Sequence, residues 1–492
     1  MTDNLALASA TELSALYRAK KASPVETMKA VLTQIDKLNP LLNAFCWLDA
    51  DAALASAQGS EDRWMRGAPK SGVDGIPTTV KDLSYTRGWP TRRGSLAIRA
   101  RGPWLEDSPS VARMREAGAV IFAKTSVPEF AAMNLTKSVL CGVTRNPFNP
   151  EKTSGGSSGG AATSLAAGMG TLALASDASG SIRSPSSYTG VFGLKTTFGS
   201  VADYPSSYLG SKAVIGPMAR TVADAALCMS IITRPDARDS YALPQLPDDF
   251  VGVLSKGIKG LRIAYSPTLG YSEVDPEIAT IVEKAVKLLT ELGAEVDIVD
   301  HVFDDPASCN AVISAAGSAN MFRFLGITEA DKKLISPHLV QRAEAGMKVS
   351  ALDYLIAREQ RENLGALMRK FHEKYDLLVT PTLAHPALGA EEEVITNPRY
   401  TKFKGLSAFG PAFNLTKQPA ASVPVGMTAD GLPVGMQVVG PLYADALVMR
   451  LCHAVEMAQP FARPNLSRLP IGGGMPRGLA SMHEALPEVA AA

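Results

Sequence analysis

The sequence predicts one large α/β unit, and three observations carry that reading. At 261–265, 276–292 and 295–299, a short apolar run, an amphipathic helical segment and a second apolar run succeed one another. That succession is the pattern of a βαβ step. A helix-then-strand step of the same kind stands at 109–118 and 119–123. The 492 residues are 46% hydrophobic and 20% charged, with 41 glycines, a composition suited to a large core cut into many elements. No repeat or linker divides the chain, so 1–492 reads as a single domain. Its motif-bearing core lies at 75–195, a helical insertion at about 308–373 and a loosely ordered tail at about 465–492.

Taken in order, residues 10–38 read as two helices. Thr11 and Glu12 can start the first. Ser23, Pro24 and Glu26 open the second as cap, first helical position and capping-box acid. Val25, Met28, Val31, Ile35 and Leu38 then recur on one face. A glycine- and charge-rich connection leads to a strand at 76–80, with Lys81 at its end. The stretch 124–149 reads as a long polar loop, of a length that usually serves function. Beyond Lys195, 216–229 reads as a helix, 377–380 as a strand, and 418–440 as two strands joined by an Asp430-Gly431 turn. A helix at 445–457 closes the unit.

Several function classes are excluded early. A net charge of +1 offers no basic stripe for a polyanion, so no nucleic-acid partner is expected. The five cysteines are far apart and form no C-x-x-C pair, which favours plain buried thiols over a disulfide framework. The six histidines are scattered, and neither a metal nor a cofactor is expected. The first 21 residues lack a signal-peptide layout, and no run approaches the roughly 18 apolar residues a membrane span needs. A cytoplasmic location follows as the expectation.

The chemistry concentrates in 153–195. Gly155-Gly156-Ser157-Ser158-Gly159-Gly160 precedes a run of small residues, then an apolar strand at 171–175, then a second tight turn, Asp177-Ala178-Ser179-Gly180-Ser181-Ile182-Arg183. Two exposed-looking serines are thus offered on two small-residue loops. The glycine run lacks the Gly-Lys-Ser/Thr of a phosphate loop and does not fit G-x-G-x-x-G, so a nucleotide site is excluded. A flexible linker is a weak account, because helix-compatible apolar residues follow at once. A serine nucleophile needs a base, and no histidine lies near either loop in sequence. A lysine at the end of a buried strand can serve once desolvation lowers its pKa. Lys81 fits that description, with Lys124 and Lys195 as competitors.

The motifs GIPTTVKD at 75–82, TSGGSSGG at 153–160 and DASGSIRSPSSYTGVFGLK at 177–195 resemble those of the amidase signature family. The resemblance runs from the SPVE helix at residue 23 to the GLPVGMQVVG strand near 440. It implies an α/β/α sandwich, a large mixed twisted sheet covered by helices on both faces. It further implies that Ser181 is the acyl-forming nucleophile, Ser157 the bridging serine after a cis peptide bond, and Lys81 the general base. The backbone N–H groups of Ala178, Ser179, Gly180 and Ser181 would form the oxyanion hole. Asp177 and Arg183 would support the turn, and a structural ion pair accounts for them equally well. Ser179 stands where the family usually has glycine, so the turn should need no positive φ there.

The expected activity is hydrolysis of a linear amide, with carbamates and esters as extensions, and the expected partner is a small-molecule amide. Ala131, Ala132, Met133, Phe409 and Phe413 are the candidate substrate contacts, with core packing an equal account of the aromatics. The stretch 403–427 contains no acid, which favours an apolar or aryl amide over an ammonium-bearing substrate. Two alternatives stand beside it: the glutaminase component of a tRNA-dependent amidotransferase and a non-catalytic amidase-fold scaffold. No stretch encodes oligomeric state; a homodimer stands as the expectation for the stand-alone hydrolase, and a complex with a tRNA-binding partner for the amidotransferase alternative.

Overall fold

The computed structural model describes residues 4–98, 104–244, 248–401, 403 and 405–470. Thirteen strands occur among them: β1 Phe45–Leu48, β2 Pro77–Lys81, β3 Val120–Thr125, β4 Lys137–Ser138, β5 Gly142–Val143, β6 Leu172–Asp177 and β7 Phe192–Lys195, then β8 Val214–Ala219, β9 Arg262–Tyr265, β10 Glu295–Ile298, β11 Leu377–Pro381, β12 Ala420–Met427 and β13 Pro433–Val439. Eleven form one mixed sheet in the order β1-β3-β2-β6-β8-β7-β12-β13-β11-β9-β10, and β4 and β5 form a separate hairpin. The steps β3-β2-β6 and β11-β9-β10 are parallel, and the remaining neighbours are antiparallel.

Side chains alternate across this sheet, and each face meets its own helices. Leu172 and Leu174 of β6 share a core with Tyr17, Val111, Met229, Val282 and Leu451, from the helices at 10–18, 109–116, 222–232, 276–291 and 445–458. Ala173 and Ala175, one position along, face the opposite side and pack on Ala161, Ala162, Leu165 and Ile182. Further along that second face, Phe122 of β3 packs on the helices Pro24–Leu42 and Ala50–Met65, and Leu378 of β11 on the helices Ala307–Leu325 and Ala351–Lys374. The expected α/β/α sandwich is therefore the observed one.

Local signals hold where side chains act on their own backbone. The Ser23/Glu26 capping box is present, and Gly431 takes the left-handed conformation between β12 and β13. The first helix begins at Ala10 as expected, but its cap is Ser9, in a capping box with Glu12, rather than Thr11. Three expectations need correction. The stretch 216–229 opens as strand and only then turns helical, because β8 runs through Ala219 and the helix begins at Val222 under a Thr221 cap. The connection after residue 38 holds β1 and the helix Ala50–Met65, whose alanines pack on the sheet without an obvious apolar stripe. In the tail, Leu466–Arg468 is a short 3-10 helix with Leu469 buried, and 471–492 lie outside the described residues. The insertion is helical over Ala307–Leu325, Glu329–Lys332, Pro337–Met347 and Ala351–Lys374.

The helix Gly159–Ala166 is fully buried, and its small residues are what allow it so close to the sheet. A Cβ on Gly160 would stand 2.5 Å from the Ala44 carbonyl oxygen and 2.6 Å from the Ser126 amide nitrogen. Both obstacles are backbone, which cannot rotate away. Gly160→Ala should therefore destabilise the protein by about 1–3 kcal/mol. The check is a lowered thermal unfolding midpoint by calorimetry.

Candidate active site

Strand β2, third from the β1 edge of the sheet, ends on Lys81 with β3 and β6 on either side. Its side chain is 1% exposed. Lys81 Nζ lies 2.8 Å from Ser157 Oγ and 3.2 Å from the Ser176 carbonyl oxygen. Burial pushes its pKa down to about 7, with Asp177 pulling the other way. A lysine that loses its proton near neutrality while touching a hydroxyl can accept that hydroxyl's proton.

Ser157 is held by glycines that permit close backbone approach. The Gly156–Ser157 peptide is cis. A Cβ on Gly156 would meet the backbone of Asn134 and Leu135 within 2.8 Å. Thr136 ties the loop down, donating to the Gly155 carbonyl and accepting from the Gly159 N–H. The second turn is joined to the first by Ser158 N–H donating to the Ser181 carbonyl at 3.2 Å. Ser157 and Ser181 open on the same cleft, and the Ser181 hydroxyl has no hydrogen-bond partner among the described residues. Both serines are buried, at 1% and 7% exposure, rather than exposed as the small-residue loops suggested. Small neighbours here mean dense packing, not access to solvent.

Asp177 organises the second turn. Its carboxylate accepts from the N–H groups of Gly180 at 2.7 Å and Ile182 at 3.0 Å, and from the Arg183 guanidinium at 2.9 and 3.0 Å. Burial would raise this carboxyl, but the Arg183 charge and these donors outweigh it and hold it well below the usual range. Arg183 reaches on to Gln437, Asn414 and the Gly410 carbonyl, tying the turn to β13 and the helix Gly410–Leu415. The positive φ falls on Gly180, at 105°, and Ser179 keeps an ordinary backbone while its hydroxyl donates to the Ala178 carbonyl. The Gly180 N–H, expected to face an oxyanion, is occupied by Asp177. The N–H groups of Ala178, Ser179 and Ser181 have no acceptor among the described residues.

The sequence matches the Amidase family profile over residues 26–449. The chain belongs to the amidase signature family. It is accordingly an amidase, a hydrolase of carbon–nitrogen bonds. It is 32% identical over 470 residues to an acylamidase of Rhodococcus erythropolis, covering 93% of this chain and 97% of the relative. It is also 32% identical over 479 residues to a glutamyl-tRNA(Gln) amidotransferase component of Acidothermus cellulolyticus, covering 91% and 94%. Among solved structures, a bacterial aryl acylamidase of the amidase signature family superposes with a TM-score of 0.85 at 30% identity, over 92% of this chain and 96% of that one.

Within this amidase the competing lysines have other duties. Lys124 is paired with Asp82 at 3.1 Å and donates to the Ser84 and Pro90 carbonyls and to Thr91 Oγ1. Lys195 donates to the Thr196 carbonyl. Of the expected substrate contacts, Ala131 lines the cleft. Ala132 and Met133 do not line it, and the Ala132 carbonyl faces Arg342. Phe409 and Phe413 are fully buried in the core beneath the helical insertion, packed with Leu378 and Val439. Their spacing marked an apolar helix face, and the sheet rather than the cleft takes it up. The cleft walls come instead from Leu83, Ser84, Arg93, Asp203 to Leu209, Ile215 and Phe324. The serine- and tyrosine-rich loop at 198–213, long and without hydrophobic period, was the signal for this wall. No helix of the described residues is long and apolar enough to cross a membrane.

Arg183 carries the second turn, so its loss should be severe. Arg183→Met leaves Asp177 buried without its counter-charge and should cost about 3–5 kcal/mol of stability. Asp177→Asn in the same background should recover part of it, because the two effects are coupled. Thermal unfolding of the two single variants and the double variant measures both statements.

Proposed function

We propose that this amidase cleaves a linear amide through an acyl-enzyme on Ser181, with Lys81 as general base and Ser157 as the proton bridge. The observation that carries the reading is the 2.8 Å contact between Ser157 and a buried Lys81 whose pKa is drawn to about 7, in the cleft that also holds Ser181. Neutral Lys81 takes the Ser157 proton, and Ser157 takes that of Ser181 as Ser181 Oγ bonds to the substrate carbonyl carbon. The oxygen gains negative charge and is met by the free N–H groups of Ala178, Ser179 and Ser181. The proton returns by the same relay to the leaving nitrogen, the C–N bond breaks, and water hydrolyses the acyl-enzyme. Asp177 and Arg183 act as positioning residues for the turn.

The substrate we favour is a small acyl or aryl amide, with carbamates and esters as further candidates. Leu83, Ala131, Leu209, Ile215 and Phe324 on the cleft walls support an apolar body, and the likeness to acylamidases points the same way. The equal identity to an amidotransferase component keeps a glutaminase as the second reading. Turnover of glutamine alone, in a screen also holding acetanilides, aliphatic amides and carbamates, would reverse the order.

Ser181→Ala should abolish covalent labelling by a fluorophosphonate probe, whereas His301→Asn and His453→Asn should label normally. Labelling that survives Ser181→Ala would sink the mechanism. The base must be neutral to act and is protonated below its pKa, so kcat/KM should rise with pH through about 7 and level off above it. Lys81→Met should lower kcat by a factor of at least about 100 and remove this ascending limb.

A further inference from the structure

The cleft wall contains a charge that the mechanism does not use. Arg93 is 9% exposed and lines the cleft with Ser157 and Ser181. Its guanidinium has neither a hydrogen bond nor an ion pair among the described residues. A buried cation with no hydrogen-bonded counter-ion is costly, and it marks a place for an anion.

The loop is built to present it. Asp82, next to Lys81 and paired with Lys124, accepts from the N–H groups of Arg92 and Gly94, both at 3.3 Å, and so grips the chain on either side of Arg93. Between those anchors Arg93 takes a left-handed φ of 56°, uncommon for a residue with a Cβ. Gly94 cannot be replaced there, since its Cβ would stand 2.7 Å from the Val127 carbonyl oxygen. Across the loop, the Arg93 carbonyl accepts from the Phe130 N–H at 2.7 Å, and Phe130 and Ala131 are themselves left-handed, at 52° and 56°. Three left-handed residues therefore meet behind one wall of the cleft, which Arg93 and Ala131 line, as backbone strain tends to do where ligands bind.

Asp203 shares the cleft and makes no ion pair with Arg93. Its carboxyl has no hydrogen-bond or ion-pair partner among the described residues, while its N–H donates to Asp239 at 2.9 Å. Burial and the neighbouring Asp239 charge push the Asp203 carboxyl up to about 7, against the pull of Arg93. Near neutrality it is in part a protonated acid and can donate to an anion rather than repel it.

We propose that Arg93 is a specificity residue that holds a carboxylate of the substrate, so that this amidase prefers amides bearing an anionic group away from the scissile bond. Asp203 and the hydroxyls of the facing loop complete the site. The proposal rests on the acyl-enzyme reading above and narrows its substrate to half-amides of dicarboxylic acids or amides of amino carboxylates.

Three amides distinguish these sources: butyryl-p-nitroanilide, succinyl-p-nitroanilide and butyryl-4-aminobenzoate. Wild-type protein should favour one of the charged pair over the neutral amide by roughly tenfold or more in kcat/KM, chiefly through KM. Arg93→Gln should collapse that ratio, and Arg93→Lys should restore part of it. A ratio near one in the wild type, or one that survives Arg93→Gln, overturns the proposal and leaves Arg93 as an internal counter-charge to Asp203. A second measurement needs no variant and no turnover. Succinate should slow fluorophosphonate labelling of Ser181 at concentrations where butyrate does not, and equal protection by the two acids also overturns it. The acyl-enzyme reading fails separately, through labelling that persists in Ser181→Ala.

Discussion

A lysine buried at the end of an interior strand, with a serine hydroxyl as its close partner, is the constraint around which this molecule is arranged. Lys81 is drawn towards neutrality because water is kept from it, and no carboxylate among the described residues stands near enough to form an ion pair with it. That state requires dense packing on every side of β2. Strands β3 and β6 provide it within the sheet, and the glycine-started helix Gly159–Ala166 provides it above. A larger residue at Gly156 or Gly160 would meet neighbouring backbone. The glycine–serine run is thus a packing device as much as a source of hydroxyls.

The two serine loops answer to different supports. The first is held by Thr136 and by its own close approach to 134–135. The second depends on the Asp177–Arg183 pair, fully removed from water and connected to β13 and the helix Gly410–Leu415. Such a pair gives geometric definition more than net stability, since desolvation offsets much of the attraction. Here the definition gained is the direction of the N–H groups around Ser181, one of which, that of Gly180, is turned inward to Asp177.

Much of this was legible in the residues, for reasons particular to each. Capping at Ser23 and the turn at Gly431 act over three or four positions, so local sequence is enough. Lys81 could be ranked above Lys124 and Lys195 only through the family resemblance, because all three stand at or near the ends of buried strands and their partners lie far off in sequence. The substrate wall was harder. Phe409 and Phe413 carry the aromatic character expected of a pocket, yet the core claims them. Arg93 and Asp203 have no motif around them and meet only because the loops after β2 and β7 converge.

The residues alone were enough for the chain's family and for much of the alternation of helix and strand, and they put forward Lys81, Ser157 and Ser181 as candidates for the site. These depend on residue type and on spacing within short segments. The three-dimensional arrangement was needed to show which faces of the sheet those segments cover, which of the buried lysines meets a serine hydroxyl, which N–H groups remain free and which charges lack a hydrogen-bonded partner in the cleft. Burial and long-range pairing fix each of these, and both are properties of neighbours brought together from distant parts of the chain.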